Sequence, residues 1–178
     1  MDYEFASTSQ ITFAGGGVSC MAASVENIHY FTGIFGVQMI SYDKVNQLRH
    51  VKYLKNKEHT LEIMKRHAAV MAPKFRCVCR WLNQEIRDLG FAHWVEPKGG
   101  YFISLYTMPG TARRVWQLCK EAGVTLPTAG AAYPNSYNPN DNHLRLAPSL
   151  PPVEDLEKAM EVLTVCLKLS ALEKLLNK

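Results

Sequence analysis
The longest regular pattern in the chain runs from His59 to Leu89. Its apolar residues Leu61, Met64, Ala68, Met71, Phe75, Val78, Leu82, Ile86 and Leu89 recur in steps of three and four. That spacing lines one stripe of a helix, which must meet a core on a single face. Pro73 lies inside the pattern and is expected to kink the helix; Gly90 is expected to close it as a C-cap. The period then changes. Phe91–Val95 and Tyr101–Tyr106 read as strands joined by the turn Glu96-Pro97-Lys98-Gly99-Gly100. A helix over Thr111–Ala122 ends at Gly123. A short strand Val124–Leu126, an irregular loop Tyr133–Asn142 rich in Asn, Pro and Tyr, and a strand His143–Ala147 follow. Pro151 and Pro152 open a last helix with Glu154 and Asp155 in its first turn, where the helix dipole favours them. Leu156, Met160, Leu163 and Leu167 give that helix its own stripe.

Upstream the pattern is thinner. Residues 2–6 read as a strand and Ser7–Ser19 as a polar, glycine-rich stretch. A helix starts after Ser24 and carries Ile28, Phe31 and Ile34 to about Met39; Asp43 can cap another that carries Val45, Leu48 and Leu54. The fold class expected is α/β, with helices packed on a small sheet. Two parts are expected: residues 1–40, too small to bury a core alone, and residues 43–178, which can.

Composition narrows the function. Hydrophobic residues make up 47% and charged residues 20%, which marks a folded globular chain rather than a disordered one. No apolar run approaches the roughly 18 residues that span a bilayer, so no membrane partner is expected. The first residues show neither a basic region nor an apolar signal core, which points to the cytoplasm. Net charge is +4, but lysines such as Lys55 and Lys57 alternate with acids such as Glu58 and Glu62, so no nucleic-acid stripe forms. Five cysteines at irregular spacing suit free thiols in a reducing compartment. Cys77 and Cys79 stand two apart on a predicted helix and so make a poor metal clip; no metal site is expected. His29, His50, His59 and His67 fall on predicted helices or helix starts and are read as surface residues. Trp81, Trp94 and Trp116 are read as core or interface anchors.

The candidate chemistry begins at Ser7-Thr8-Ser9-Gln10-Ile11-Thr12-Phe13-Ala14-Gly15-Gly16-Gly17. Hydroxyls and bare backbone between a strand and a helix can hold a phosphate, although a plain structural turn has the same composition. This segment resembles the cofactor-lysine loop of fold-type I aminotransferases, in the branch related to aspartate aminotransferase. Further segments resemble the family in order and spacing: Asp43-Lys44-Val45-Asn46-Gln47-Leu48-Arg49-His50, Pro97-Lys98-Gly99-Gly100-Tyr101-Phe102, Gly130-Ala131-Ala132-Tyr133-Pro134 and Asn142-His143-Leu144-Arg145-Leu146-Ala147-Pro148. Pro152-Val153-Glu154-Asp155-Leu156 resembles the opening of the family's final helix. The likeness covers nearly the whole chain and corresponds to the C-terminal portion of such an enzyme.

The resemblance implies a fold: the C-terminal small domain over 43–178 and, over 1–40, the last strand, loop and helix of the large cofactor domain. It implies pyridoxal 5'-phosphate as cofactor, and an amino acid or 2-oxo acid recognised through its carboxylate. It implies a homo-oligomer for the full-length family. Ser7 and Ser9 would lie at the cofactor phosphate, Gly100 near the substrate, and Arg145 on the substrate carboxylate. Val18 stands where many relatives carry a phosphate-binding arginine. The family's lysine, which links covalently to the cofactor and then moves a proton, is replaced by Gln10. An amide is neither a usable nucleophile nor a titratable base. The expectation is therefore an aminotransferase portion that is inactive by itself. The alternative is a catalytically dead binding or regulatory module that pairs with an active subunit.

Overall fold
A computed structural model of the chain describes residues 2–176. Met1 and the last two residues of the expected 43–178 part lie outside the described residues. Two compact units are present, Met1–His67 and Ala68–Lys178.

The first unit opens on an antiparallel hairpin of β1 (Glu4–Ser7) and β2 (Ser19–Ala22), registered Glu4 to Ala22 and Ser7 to Ser19. β2 begins at Ser19, the last residue of the expected irregular stretch, and covers residues to which the sequence pattern assigns no element. Its four residues, Ser19-Cys20-Met21-Ala22, carry little strand propensity, and pairing with β1 makes the strand. Helix α1 (Val25–Gln38) is capped by Ser24, whose Oγ accepts from the Asn27 N–H. Helix α2 (Lys44–Leu54) is capped by Asp43, whose carboxylate accepts from the Asn46 N–H at 2.9 Å.

The face that α2 buries is not its apolar one. Val45 and Leu48 are exposed, whereas His50 is only 4% exposed and Asn46 is half-buried. The surface reading of His50 is thus corrected. The glycine-rich loop between β1 and β2 folds over α2, and its backbone needs polar partners.

Helix α3 (Lys57–Glu85) runs through Pro73 and ends in a 3₁₀ turn, Arg87–Leu89, closed by Gly90 at φ 71°. The second unit is built on a three-stranded antiparallel sheet of β3 (His93–Trp94), β4 (Ile103–Tyr106) and β5 (His143–Leu146), with β4 in the middle. Helices α4 (Ala112–Glu121) and α5 (Val153–Leu176) complete it. Ile103, Leu105, Leu144 and Leu146 line one face of the sheet and are buried with Val78 and Leu82 of α3, Ile86 just after it, Val115 of α4 and Leu163 and Leu167 of α5. Fully burying such a side chain contributes about 1.5–3 kcal/mol, and this cluster is the core of the unit. The short strand expected at Val124–Leu126 is absent. The Val124 N–H donates to the Cys119 carbonyl to close α4, and the Leu126 carbonyl accepts from the Trp116 indole, so neither joins a ladder.

Candidate functional site
The expected site residues fall in both units. Ser7, Ser9 and Gln10 lie together in the first. Ser7 ends β1, and its Oγ donates to Ser9 Oγ at 3.0 Å while accepting from the Ser9 N–H. The base of the loop is closed twice. The Thr8 N–H donates to the Val18 carbonyl, and the Val18 N–H donates to Thr8 Oγ1, both at 2.9 Å. Within the loop, the Ile11 and Thr12 N–H groups both donate to the Thr8 carbonyl. Ser9 and Gln10 are exposed at the first bend.

Helix α2 holds the far side of this loop. Asn46 Nδ2 donates to the Gly16 carbonyl at 2.9 Å. The Arg49 guanidinium donates to Asn46 Oδ1 and lies 4.4 Å from the Phe13 ring centroid. His50 Nε2 is 2.7 Å from Thr12 Oγ1. A Cβ on Gly16 would meet only the tip of the Arg49 side chain, Nη2 at 2.3 Å, which can swing aside; one on Gly17 would meet the Ser9 backbone, Cα at 2.9 Å. Close backbone approach between the two arms of the loop is what Gly17 permits.

Gly100 and Arg145 lie in the second unit. Gly100 has φ 84°, and the space where a Cβ would project is open, so its glycine answers to backbone conformation. Arg145 is opposite Ser104 in the β4–β5 ladder, on the face turned away from the Leu144–Leu146 core. Its guanidinium carbon lies 4.3 Å from the Phe102 ring centroid. Its Nε is shielded from water and has no acceptor among the described residues. Such an orphaned cationic donor fits a carboxylate ligand.

A ring cluster continues along the same face. Tyr106 stacks on His93 with centroids 4.9 Å apart and on the tilted ring of His143 at 4.8 Å, and Tyr133 meets His143 edge-on. His143 is 5% exposed. Burial, with the nearby Arg145 charge second, holds its imidazole below the usual histidine range. This cluster was not singled out from sequence, because it forms only through the register of three strands.

An open groove of about 630 Å³ also lies in the second unit, lined by Arg76, Cys77, Arg80, Asn83 and Glu157 among others. It contains none of the expected site residues. Its Arg80 is already paired with Glu157, and burial pushes the Cys77 thiol up to about 11.

The family model for aspartate amino-transferase matches residues 1–178. The chain belongs to the aspartate aminotransferase family. It is 48% identical over 175 residues to the aspartate aminotransferase of Corynebacterium glutamicum, covering 98% of this chain and 40% of that protein. It is 43% identical to a putative aminotransferase of Mycolicibacterium smegmatis, covering 97% of this chain and again 40% of the relative. The crystal structure of an aspartate transaminase from C. glutamicum superposes with a TM-score of 0.89 at 48% identity, over 97% of this chain and 41% of that one. An α-aminoadipate aminotransferase of Thermus thermophilus, solved with N-(5'-phosphopyridoxyl)-L-leucine, shares the fold at TM-score 0.74 and 19% identity, over 95% of this chain and 42% of that one. The chain thus spans about 40% of the length of the aminotransferases it matches, and its fold is that of their C-terminal part.

The Ser7 and Ser9 hydroxyls and the exposed bend beside them have the chemistry to hold a phosphate. The next residue, Gln10, ends in an amide, which forms no imine with an aldehyde.

Proposed function
We propose that this chain is the loop-bearing and carboxylate-binding portion of a pyridoxal-phosphate aminotransferase, and that it does not itself transfer amino groups. One observation carries the second half of the reading: Gln10 stands in a loop that is otherwise fully formed. When bound, the cofactor supplies the electron sink that lets an amino acid lose its Cα proton. Ser9 would donate its hydroxyl to the phosphate, and Ser7 would do the same by turning its proton away from Ser9 Oγ. Arg145 would orient an amino acid or 2-oxo acid by two parallel N–H bonds to its carboxylate. Gly100 would leave room beside that substrate. Residue 10 would have to take and return the proton, and glutamine has no group that titrates for this task.

The same reading assigns residues 1–40 to the end of the large cofactor domain and residues 43–178 to the small domain. It places the protein in the cytoplasm, with support from five unpaired cysteines. In its full-length relatives the working unit would be a homo-oligomer.

A second reading, a catalytically dead module that pairs with an active subunit, is favoured by the apolar surface of the first unit. Val25, Tyr30, Val37, Ile40 and Val45 are all more than half exposed. Co-purification with a full-length aminotransferase supports that module; a purified chain that stays alone beside such an enzyme argues against it.

The test of the main reading is direct. Pyridoxal phosphate mixed with the chain should give no specific visible absorption band, and borohydride should trap no adduct at residue 10. A specific band that vanishes on replacing one other lysine would reveal a substitute nucleophile and end the inactive assignment.

A further inference from the structure
We propose that His50 is a positioning residue for the loop 8–18, fixing it through Thr12 before any cofactor arrives. The inference rests on the reading of that segment as the cofactor loop, and it goes beyond it by naming what sets the loop's shape.

The proton positions follow from the partners. His50 Nδ1 is 2.9 Å from the Asn46 carbonyl, which has no proton to give, so Nδ1 must carry one. In the neutral ring Nε2 then has a free lone pair, and the Thr12 hydroxyl 2.7 Å away donates to it. The Thr8 carbonyl, 3.0 Å from the same hydroxyl, keeps its two backbone donors from Ile11 and Thr12. In the protonated ring Nε2 donates to Thr12 Oγ1, and that hydroxyl turns to the Thr8 carbonyl. Either way the chain from Asn46 through His50 and Thr12 to the first bend of the loop stays connected.

The placement of these groups makes the link effective. His50 is 4% exposed, so its hydrogen bonds do not compete with bulk water. It sits one turn after Asn46, whose amide grips the Gly16 carbonyl on the other arm of the loop. Phe13 packs edge-on against the His50 ring at 5.4 Å and against Tyr53 at 5.0 Å. Two polar contacts and two ring contacts of Phe13 thus tie both arms of a glycine-rich segment to one helix. A segment with three glycines has large conformational entropy to lose, and a rigid helix is what can offset it. Gln10 lies between Thr8 and Thr12, within the tethered span, so the loop is preformed without a covalent lysine link.

The experiment uses the full chain without cofactor. Amide hydrogen exchange is measured at Thr8, Thr12, Gly16 and Val18 in the wild type and in Thr12→Val, Thr12→Ser and His50→Asn. Nitrogen NMR of the imidazole is recorded alongside. Thr12→Val, which keeps the shape and removes the hydroxyl, should speed exchange at these amides by up to about tenfold, the equivalent of one hydrogen bond. Thr12→Ser should restore the wild-type rate, and the neutral His50 ring should carry its proton on Nδ1. Amides at Leu82 and Leu144 should not change, which separates a local loss from unfolding. Unchanged loop exchange in Thr12→Val, equal acceleration in Thr12→Ser, or a neutral ring protonated on Nε2 would each overturn the proposal. His50→Asn leaves the Thr12 hydroxyl its contact with the Thr8 carbonyl and should still speed loop exchange as Thr12→Val does; wild-type loop exchange in a folded His50→Asn would overturn the proposal, and if that variant does not fold, the Nδ1-protonated tautomer read by nitrogen NMR in the wild type decides. Because no cofactor is present, the outcome is independent of whether pyridoxal phosphate binds, which the absorption and borohydride experiment reads separately.

Discussion

Arg145 lies over the ring of Phe102, 4.3 Å from its centroid, on the face of the sheet turned away from the core. The ring supports the guanidinium from one side, and the guanidinium Nε is left without an acceptor among the described residues. If this guanidinium holds the substrate carboxylate, a lysine cannot replace it, because an ammonium offers a point charge and no parallel donors. In a chain joined to the N-terminal portion of a relative and carrying Gln10→Lys, Arg145→Lys and Arg145→Ala should each raise the amino-acid Michaelis constant more than about tenfold. Cofactor affinity should stay unchanged. Steady-state kinetics checks both, and wild-type constants in the lysine variant would refute paired recognition.

His143 gives the second unit a pH dependence. Its folded pKa is depressed, by burial first and by the Arg145 charge second. The unfolded chain therefore binds a proton that the folded chain resists. Stability should be full above the unfolded value of about 6.5 and should fall as pH drops through it toward the lower folded value. Denaturant midpoints taken between about pH 7.5 and about pH 5 should decline, and His143→Asn should flatten the decline attributable to this residue. Arg145→Met should weaken the dependence without removing it, since burial remains.

The second unit was largely legible in the sequence, and the first was not. Val78 and Leu82 in α3 and Leu156 to Leu167 in α5 carry the period of helices that meet a core; the ends of the long stripe do not, since Leu61, Met64 and Leu89 are exposed and α3 stops at Glu85. Asp43 and Ser24 announced helix starts because capping is local chemistry. In the sheet, Leu144 and Leu146 alternate with Arg145, and a period of two places Arg145 on the face away from the core. What failed depended on distant partners. β2 exists through β1, and α2 turns Asn46 and His50 inward while Val45 and Leu48 face out, against the apolar rule. No periodicity in Val45, Leu48 and Leu54 could reveal that a polar loop would cover the helix. The ring cluster of His93, Tyr106 and His143 likewise needs the register of three strands.

Packing makes the two units respond differently to truncation. Leu144 is 1% exposed and sits in the core beneath the sheet, so Leu144→Ala should cost about 2–5 kcal/mol through lost burial and the cavity left behind. Val37 on α1 is 89% exposed, and Val37→Ala should stay within about 0.5 kcal/mol. Urea titrations of the two variants test the contrast. Equal losses would mean that α1 is covered in solution by a surface outside its own unit.

Gln10 is exposed on the bend of its loop, so a lysine there keeps its charge in water. Gln10→Lys should therefore leave stability within about 0.5 kcal/mol. Reactivity is a different matter. An exposed lysine amine is almost wholly protonated at neutral pH, with an ordinary value of about 10.4, and a protonated amine does not attack an aldehyde. Family lysines become nucleophilic in a site where burial and neighbouring cations disfavour the charged form. This chain spans about 40% of the length of the relatives it matches. Gln10→Lys alone should thus react with pyridoxal phosphate no faster than other surface lysines such as Lys52 or Lys57. Adding the N-terminal portion of a relative should make residue 10 the preferred site. Borohydride trapping followed by peptide mapping measures the preference. Selective labelling of residue 10 in the unassisted Gln10→Lys chain would show that the loop and α2 alone activate the amine.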